Sequence, residues 1–113
     1  MTYIQKLTQS KVVDLRNEVP VETDQVASMT LVQRKDLGMS IFSLDTDQMI
    51  GGHSSKGDAM VHLLSGKAEI TIGEDKYPVS AGESIIMPAN IRHALYAVEA
   101  FQMLLVVVKP EGE

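Results

Sequence analysis

The sequence predicts an all-β sandwich or barrel. Three observations point there. From Ala27 onward, apolar and polar residues alternate with a period of two over segment after segment. Clusters of Gly, Asp, Asn and Ser break the chain at short intervals. Little of the chain carries a helical repeat, so about ten short strands joined by turns is the natural layout.

The elements follow in order. The first two dozen residues are the least patterned. Val12-Val13-Asp14-Leu15 could be a short edge strand, or Lys11 to Val19 a brief helix ended by Pro20. In the next segment Met29, Leu31 and Gln33 face one way, and Thr30, Val32 and Arg34 the other. Leu37-Gly38 punctuates, and Met39 to Leu44 alternates again. Asp45-Thr46-Asp47 is a turn signal. Met49 to His53 is a short strand in which Gly51-Gly52 marks a bend or a bulge. Gly57-Asp58 turns the chain into a strand from Ala59 to Ser65, which stops at Gly66. Lys67 to Ile72 alternates cleanly, with Ala68, Ile70 and Ile72 apolar and Lys67, Glu69 and Thr71 polar, as a half-buried antiparallel strand requires. Gly73-Glu74-Asp75 and Ser80-Ala81-Gly82-Glu83 flank a return strand, Lys76 to Val79. Ser84 to Met87, Arg92 to Val98 and Phe101 to Lys109 complete the set. Phe101 to Lys109 is apolar at both parities from Met103 to Val108, which fits either a strand covered by the chain's own N-terminus or one at a subunit interface. Met60, Met87 and Met103 read as core filler.

Composition narrows the function. A chain of 113 residues fits one domain, residues 1–113, large enough to bury a core. Its net charge of -5, with scattered Lys and Arg, makes it a poor electrostatic partner for nucleic acid or an anionic membrane. It has no cysteine, which excludes disulfides, thiolate metal sites and cysteine nucleophiles. Met1 to Leu15 lacks a signal-peptide core, and the longest apolar run, Met103 to Val108, is far too short to span a bilayer. The expectation is a soluble cytoplasmic protein. Ser54 and Ser55 lie near a histidine, but there is no Gly-x-Ser-x-Gly elbow and no orienting acid, so hydrolase chemistry is not indicated.

All three histidines lie between His53 and His93. Gly82, five residues, Pro88, one residue, Asn90, two residues, His93 is a specific spacing. It resembles the second motif of the cupin superfamily, in which a Gly, a Pro-x-Gly, a His and an Asn are set at those intervals. Asn90 stands for the motif's glycine, a quiet change because Asn tolerates positive φ; Ala97 stands for its final Asn. Gly66 and His53 match the first motif, His-x-His, then Glu, then Gly. Ser55 falls where that motif has its second histidine and Ala59 where it has its glutamate. The chain thus resembles a small single-domain cupin of the cupin 2 conserved barrel type with a degenerate first motif. The resemblance implies a double-stranded β-helix or jelly-roll barrel, with its core at about 39–110 and residues 1–26 outside it as edge strand or short helix.

Such a barrel implies one divalent metal on three histidines and a glutamate, and in many members dioxygenase or isomerase chemistry. Only His53 and His93 are carried over here. Two imidazoles fall one short of a three-ligand catalytic site. Asp58 could supply a third ligand if the strand were shifted by one residue, but that shift would expose Ala59, Val61 and Leu63. A turn role for Asp58 is the better reading. His62 lies on the opposite face, as a surface or interface histidine, and Arg92 and Tyr96 lie opposite His93, outside the pocket. Gly66, Gly82, Pro88 and Asn90 are turn residues that carry the fold. The expected function is a barrel binding a small molecule in its interior, with a weakly held zinc, iron, manganese or nickel on His53 and His93. The alternative is a metal-dependent enzyme whose two-histidine site is completed by water or substrate. A homodimer is expected from the resemblance and from the final strand.

Overall fold

The computed structural model describes residues 2–110. Among them are nine strands: β1 (Val26–Gln33), β2 (Leu37–Leu44), β3 (Met49–His53), β4 (Asp58–Ser65), β5 (Lys67–Ile72), β6 (Asp75–Ser80), β7 (Ser84–Met87), β8 (His93–Ala97) and β9 (Phe101–Val108). They form two antiparallel sheets, β1-β2-β9-β4-β7 and β3-β8-β5-β6, the two layers of a jelly-roll barrel. No helix among the described residues is long and apolar enough to cross a membrane.

The period-two pattern explains the layering. On β4 the residues Ala59, Val61 and Leu63 are buried while Asp58 and Met60 are exposed, and on β5 Ala68 and Ile70 are buried. The inward sets of both sheets, joined by Leu44, Val79, Met87, Leu95, Ala97, Phe101 and Met103, make one continuous core. Gly66 closes the tight connection from β4 to β5 at φ +78, and a Cβ there would run into the Ala100 carbonyl, so only glycine fits.

The nine strands agree with the expected count of about ten, the N-terminal stretch contributing none. Three expectations are corrected. Val12 to Leu15 pairs with no strand, and the helix reading shrinks to one 3-10 turn, Leu15–Asn17. Asp14 caps it, accepting from the Arg16 N–H, and the Arg16 guanidinium holds the Asp14 carboxyl down at about 2. The strict alternation on β1 also fails. The register slips between Thr30 and Val32, so Leu31 and Val32 are both buried. Finally, Met87 and Met103 are core residues, but Met60 is on the outer face and 41% exposed.

The outer face of the five-stranded sheet is covered only in part. Leu7, Leu15 and Val19 pack on Leu31, Ile41 and Leu104. Gln102 fastens this segment, donating from Nε2 to the carbonyls of Arg16 (2.6 Å) and Val19 (3.0 Å), and the Ser43 hydroxyl also donates to the Val19 carbonyl. Beyond that cover Met60, Ile86 and Val108 stay exposed, at 41%, 56% and 58%.

Candidate functional site

The site begins with a bulge. On β3 and β8, Ile50 pairs with Leu95, but the next pair is His53 with His93: three steps on one strand against two on the other. In a regular strand His53 would face away from Ile50. The extra residue turns it back to the face that carries Leu95 and His93. Gly52 absorbs the irregularity at φ +33, with the Arg92 guanidinium occupying the place where its Cβ would be. The Gly51-Gly52 bulge expected from the sequence is therefore what brings the two histidines together.

The imidazoles meet edge to face, ring centres 4.5 Å apart at 72°. The Nδ1–H of His53 donates to the Gly51 carbonyl (2.9 Å), which in the neutral ring leaves Nε2 as the acceptor nitrogen. His93 is 4% exposed, and its buried Nδ1 has no hydrogen-bond partner. Burial pushes the His93 imidazole below its ordinary pKa and the neighbouring His53 adds to the shift; the Ile91 carbonyl opposes it.

These rings sit at one end of a cavity of about 90 Å³. Phe42, Met103, Leu105 and Val107 line it from β2 and β9, Ala59 and Met87 from β4 and β7, and Ile50 and Leu95 from the other sheet. Parity on those strands predicts such a wall, but the sequence reading singled out none of these apolar residues as binding residues. Ser55 also reaches the cavity, though its hydroxyl is engaged locally, donating to the Gly57 carbonyl (2.7 Å) and accepting from the Gly57 N–H (3.2 Å). His53, His93 and Ser55 are thus the polar side chains of an apolar chamber.

Asp58 does not join them. β4 runs in the register that buries Ala59, so Asp58 points outward and its carboxylate accepts from the Ala89 N–H (2.9 Å). The less favoured role of Asp58 as third ligand is corrected by that register. His62 is on the outer face, its Nδ1 hydrogen-bonded to the Ser84 hydroxyl (2.7 Å), and the Tyr96 hydroxyl donates to Asp47 outside the chamber. Asn90 turns the chain at φ +64 just before His93, and its N–H donates to the Ser55 carbonyl (2.7 Å), tying the loop after β7 to the loop after β3. Gly82 takes φ +88 in the turn before β7, and Pro88 follows β7 directly.

The donor set fits half a metal site. Two imidazoles on one tetrahedral metal with bonds of about 2.1 Å would place their ring centres roughly 5.3 Å apart, and the His53 and His93 rings are somewhat closer, at 4.5 Å. The acceptor Nε2 of His53 and the unpartnered nitrogen of His93 are suitable donors. Yet among the described residues no group of three or more His, Asp or Glu side chains is placed to hold an ion. A divalent ion there would supply Lewis acidity, with its remaining positions open to water or to an incoming oxygen donor.

A family model described as "Cupin domain" matches residues 40–109. Among solved structures, a conserved protein of unknown function from Streptococcus pyogenes is 63% identical at a TM-score of 0.97, over 99% of this chain and 98% of that one. A cupin superfamily protein from Desulfitobacterium hafniense is 25% identical at a TM-score of 0.91, over 96% of this chain and all of that one (100%). A cupin 2 conserved barrel domain protein from Leptotrichia buccalis is 34% identical at 0.84, over 86% of this chain but 47% of that one. An uncharacterized protein from Streptomyces coelicolor is 23% identical over 84 residues, 74% of this chain and 80% of that one.

Proposed function

The chain belongs to the cupin family, and from that premise we propose that it binds a small molecule in the barrel interior, where His53 and His93 form the polar end of the chamber. The observation that carries this reading is the chamber itself: an apolar wall with two convergent imidazoles at one end and no acid among them. Its volume limits the ligand. Drug-sized sites run to about 300–1,000 Å³, so a chamber of about 90 Å³ takes a few carbon atoms, as a whole ligand or as one end of a longer one.

The test uses short alcohols. Propan-1-ol and butan-1-ol are titrated into isotope-labelled protein and backbone amide shifts are followed by NMR. Shifts should concentrate at Ala59, His93, Leu105 and Val107, and Ala59→Leu, which fills the chamber, should abolish them. Shifts scattered over the surface, or unchanged in Ala59→Leu, would sink the reading.

A zinc, iron, manganese or nickel ion on the two histidines is the finer part of the proposal, and two ligands make it a weak one. Metal analysis of protein purified without a His-tag should find substoichiometric metal that a chelator removes. One metal per chain that survives the chelator and is lost in His93→Ala would favour the alternative, a metal-dependent enzyme of dioxygenase or isomerase type. The closeness of the two rings is what keeps that alternative in view. We further propose that two copies pair through the exposed strip of Met60, Ile86 and Val108. Light scattering should give twice the chain mass, falling to the monomer in Ile86→Lys.

A further inference from the structure

Three lysines gather in a surface pocket that shares Ser55 with the histidine chamber. Lys35 is in the turn between β1 and β2, Lys56 in the loop between β3 and β4, and Lys109 just after β9. With Ser55 and Pro110 they line a surface pocket, and Ser55 also lines the chamber, so the two spaces have that residue in common. Backbone contacts hold the three segments together. The Lys109 N–H donates to the Asp36 carbonyl (2.9 Å), next to Lys35. Gly57 lies so close to β9 that a Cβ there would touch the Lys109 side chain, at 2.8 Å from its Cγ.

The charge at this corner runs against the molecule as a whole. The chain carries -5, yet none of the three lysines forms an ion pair among the described residues. Among the described residues, the nearby acids Asp36 and Asp58 are engaged elsewhere. Asp36 faces Arg34 at 3.6 Å, and Asp58 accepts the Ala89 N–H. A cluster of like charges with no ion pair among the described residues is held at some cost, and an incoming anion relieves it.

We infer that the ligand is a small organic anion. Its carboxylate or phosphate head sits among Lys35, Lys56 and Lys109, and its short apolar body passes Ser55 into the chamber toward His53 and His93. This rests on the ligand-binding reading above and adds the charge of the ligand to it. Three exposed ammonium groups are flexible point charges, suited to capturing an anion of either head chemistry, and their effect is screened by salt.

The experiment compares propionate, butyrate and hexanoate with the alcohols of the same length, and with inorganic phosphate, by NMR titration of the full chain. In the expected result the carboxylates shift both the chamber amides (Ala59, Leu105, Val107) and those of Lys35, Lys56 and Lys109. They bind more tightly than the alcohols, and added salt weakens them. The combined variant Lys35→Gln, Lys56→Gln, Lys109→Gln should weaken butyrate about tenfold and leave butan-1-ol unchanged. Tighter binding of a short alkyl phosphate than of butyrate, with the same dependence on the lysines, would support the inference and select phosphate as the head. Equal binding of butyrate and butan-1-ol, or butyrate binding indifferent to the three substitutions, would overturn the anion inference while the chamber reading stands. Phosphate alone shifting the lysines, with no carboxylate reaching the chamber, would overturn it as well. Silence of alcohols and carboxylates alike would remove the chamber reading and this inference together.

Discussion

The two ends of the barrel are built from the same strands and do opposite things. At one end Leu63 of β4 and Phe101 of β9 are fully buried, with Leu44 paired to Phe101 and Ala68 paired to Ala97. At the other end the same two strands carry Ala59 and Val107, and the space left between the sheets is the chamber. Along β4 and β9 side-chain volume falls from one end to the other while the alternation stays intact. The closed end therefore carries the stability and the open end the ligand site, and the gap is a matter of side-chain size rather than of strand geometry.

Phe101→Ala would test that division most severely. The ring is fully buried in the closed end, and its removal should cost about 3–5 kcal/mol in urea unfolding. A loss below about 1 kcal/mol would mean that the closed end is not the anchor. Gly66→Ala comes next. It must place a Cβ at φ +78 and against the Ala100 carbonyl, so about 2 kcal/mol or more should be lost with no cavity made. If it folds with wild-type stability, the closure between β4 and β5 is looser than described.

The same two ends differ in how well the sequence reveals them. Gly66 and Asn90 could be read directly, because a left-handed turn admits few residue types and both stand at φ above +60. The histidine pair was half legible. Spacing marked His53 and His93, and Gly51-Gly52 marked the bulge that makes them neighbours. What local pattern cannot carry is the meeting of distant segments. Lys35, Lys56 and Lys109 lie in three separate connections and converge only once β9 has paired with β2 and β4. The N-terminal stretch was unreadable for a related reason: Leu7, Leu15 and Val19 are held by packing and by Gln102 rather than by any repeat of their own. The slip at Leu31 escaped because one inserted residue leaves the alternation on either side intact.

A smaller effect, confined to the open end, comes from pH. His93 is held neutral by burial and by His53, so its folded pKa lies below the unfolded value near 6.5. The unfolded chain then takes up the proton first, and ∂ΔG/∂pH is positive in that window. Stability contributed by His93 is present above about pH 6.5, declines as the pH falls below it, and levels off once the folded imidazole is itself protonated. His93→Gln should flatten this segment of the profile, between the ordinary histidine and carboxylate ranges. An unchanged slope in that variant would show that His93 is not the group being titrated.

The smallest stability effect should come from the partner ring, and it sharpens the contrast within the pair. His53 is exposed, and its one hydrogen bond is to the Gly51 carbonyl, so His53→Ala should change stability by no more than about 0.5 kcal/mol. Its effect on His93 should nonetheless be measurable. With His53 gone, burial remains the main force holding the His93 pKa down, so that pKa should rise yet stay below 6.5. The ring-proton titration of His93 by NMR reads this directly. No movement would mean that two rings with centres 4.5 Å apart are electrostatically independent, and a chamber built on their cooperation would lose its polar end.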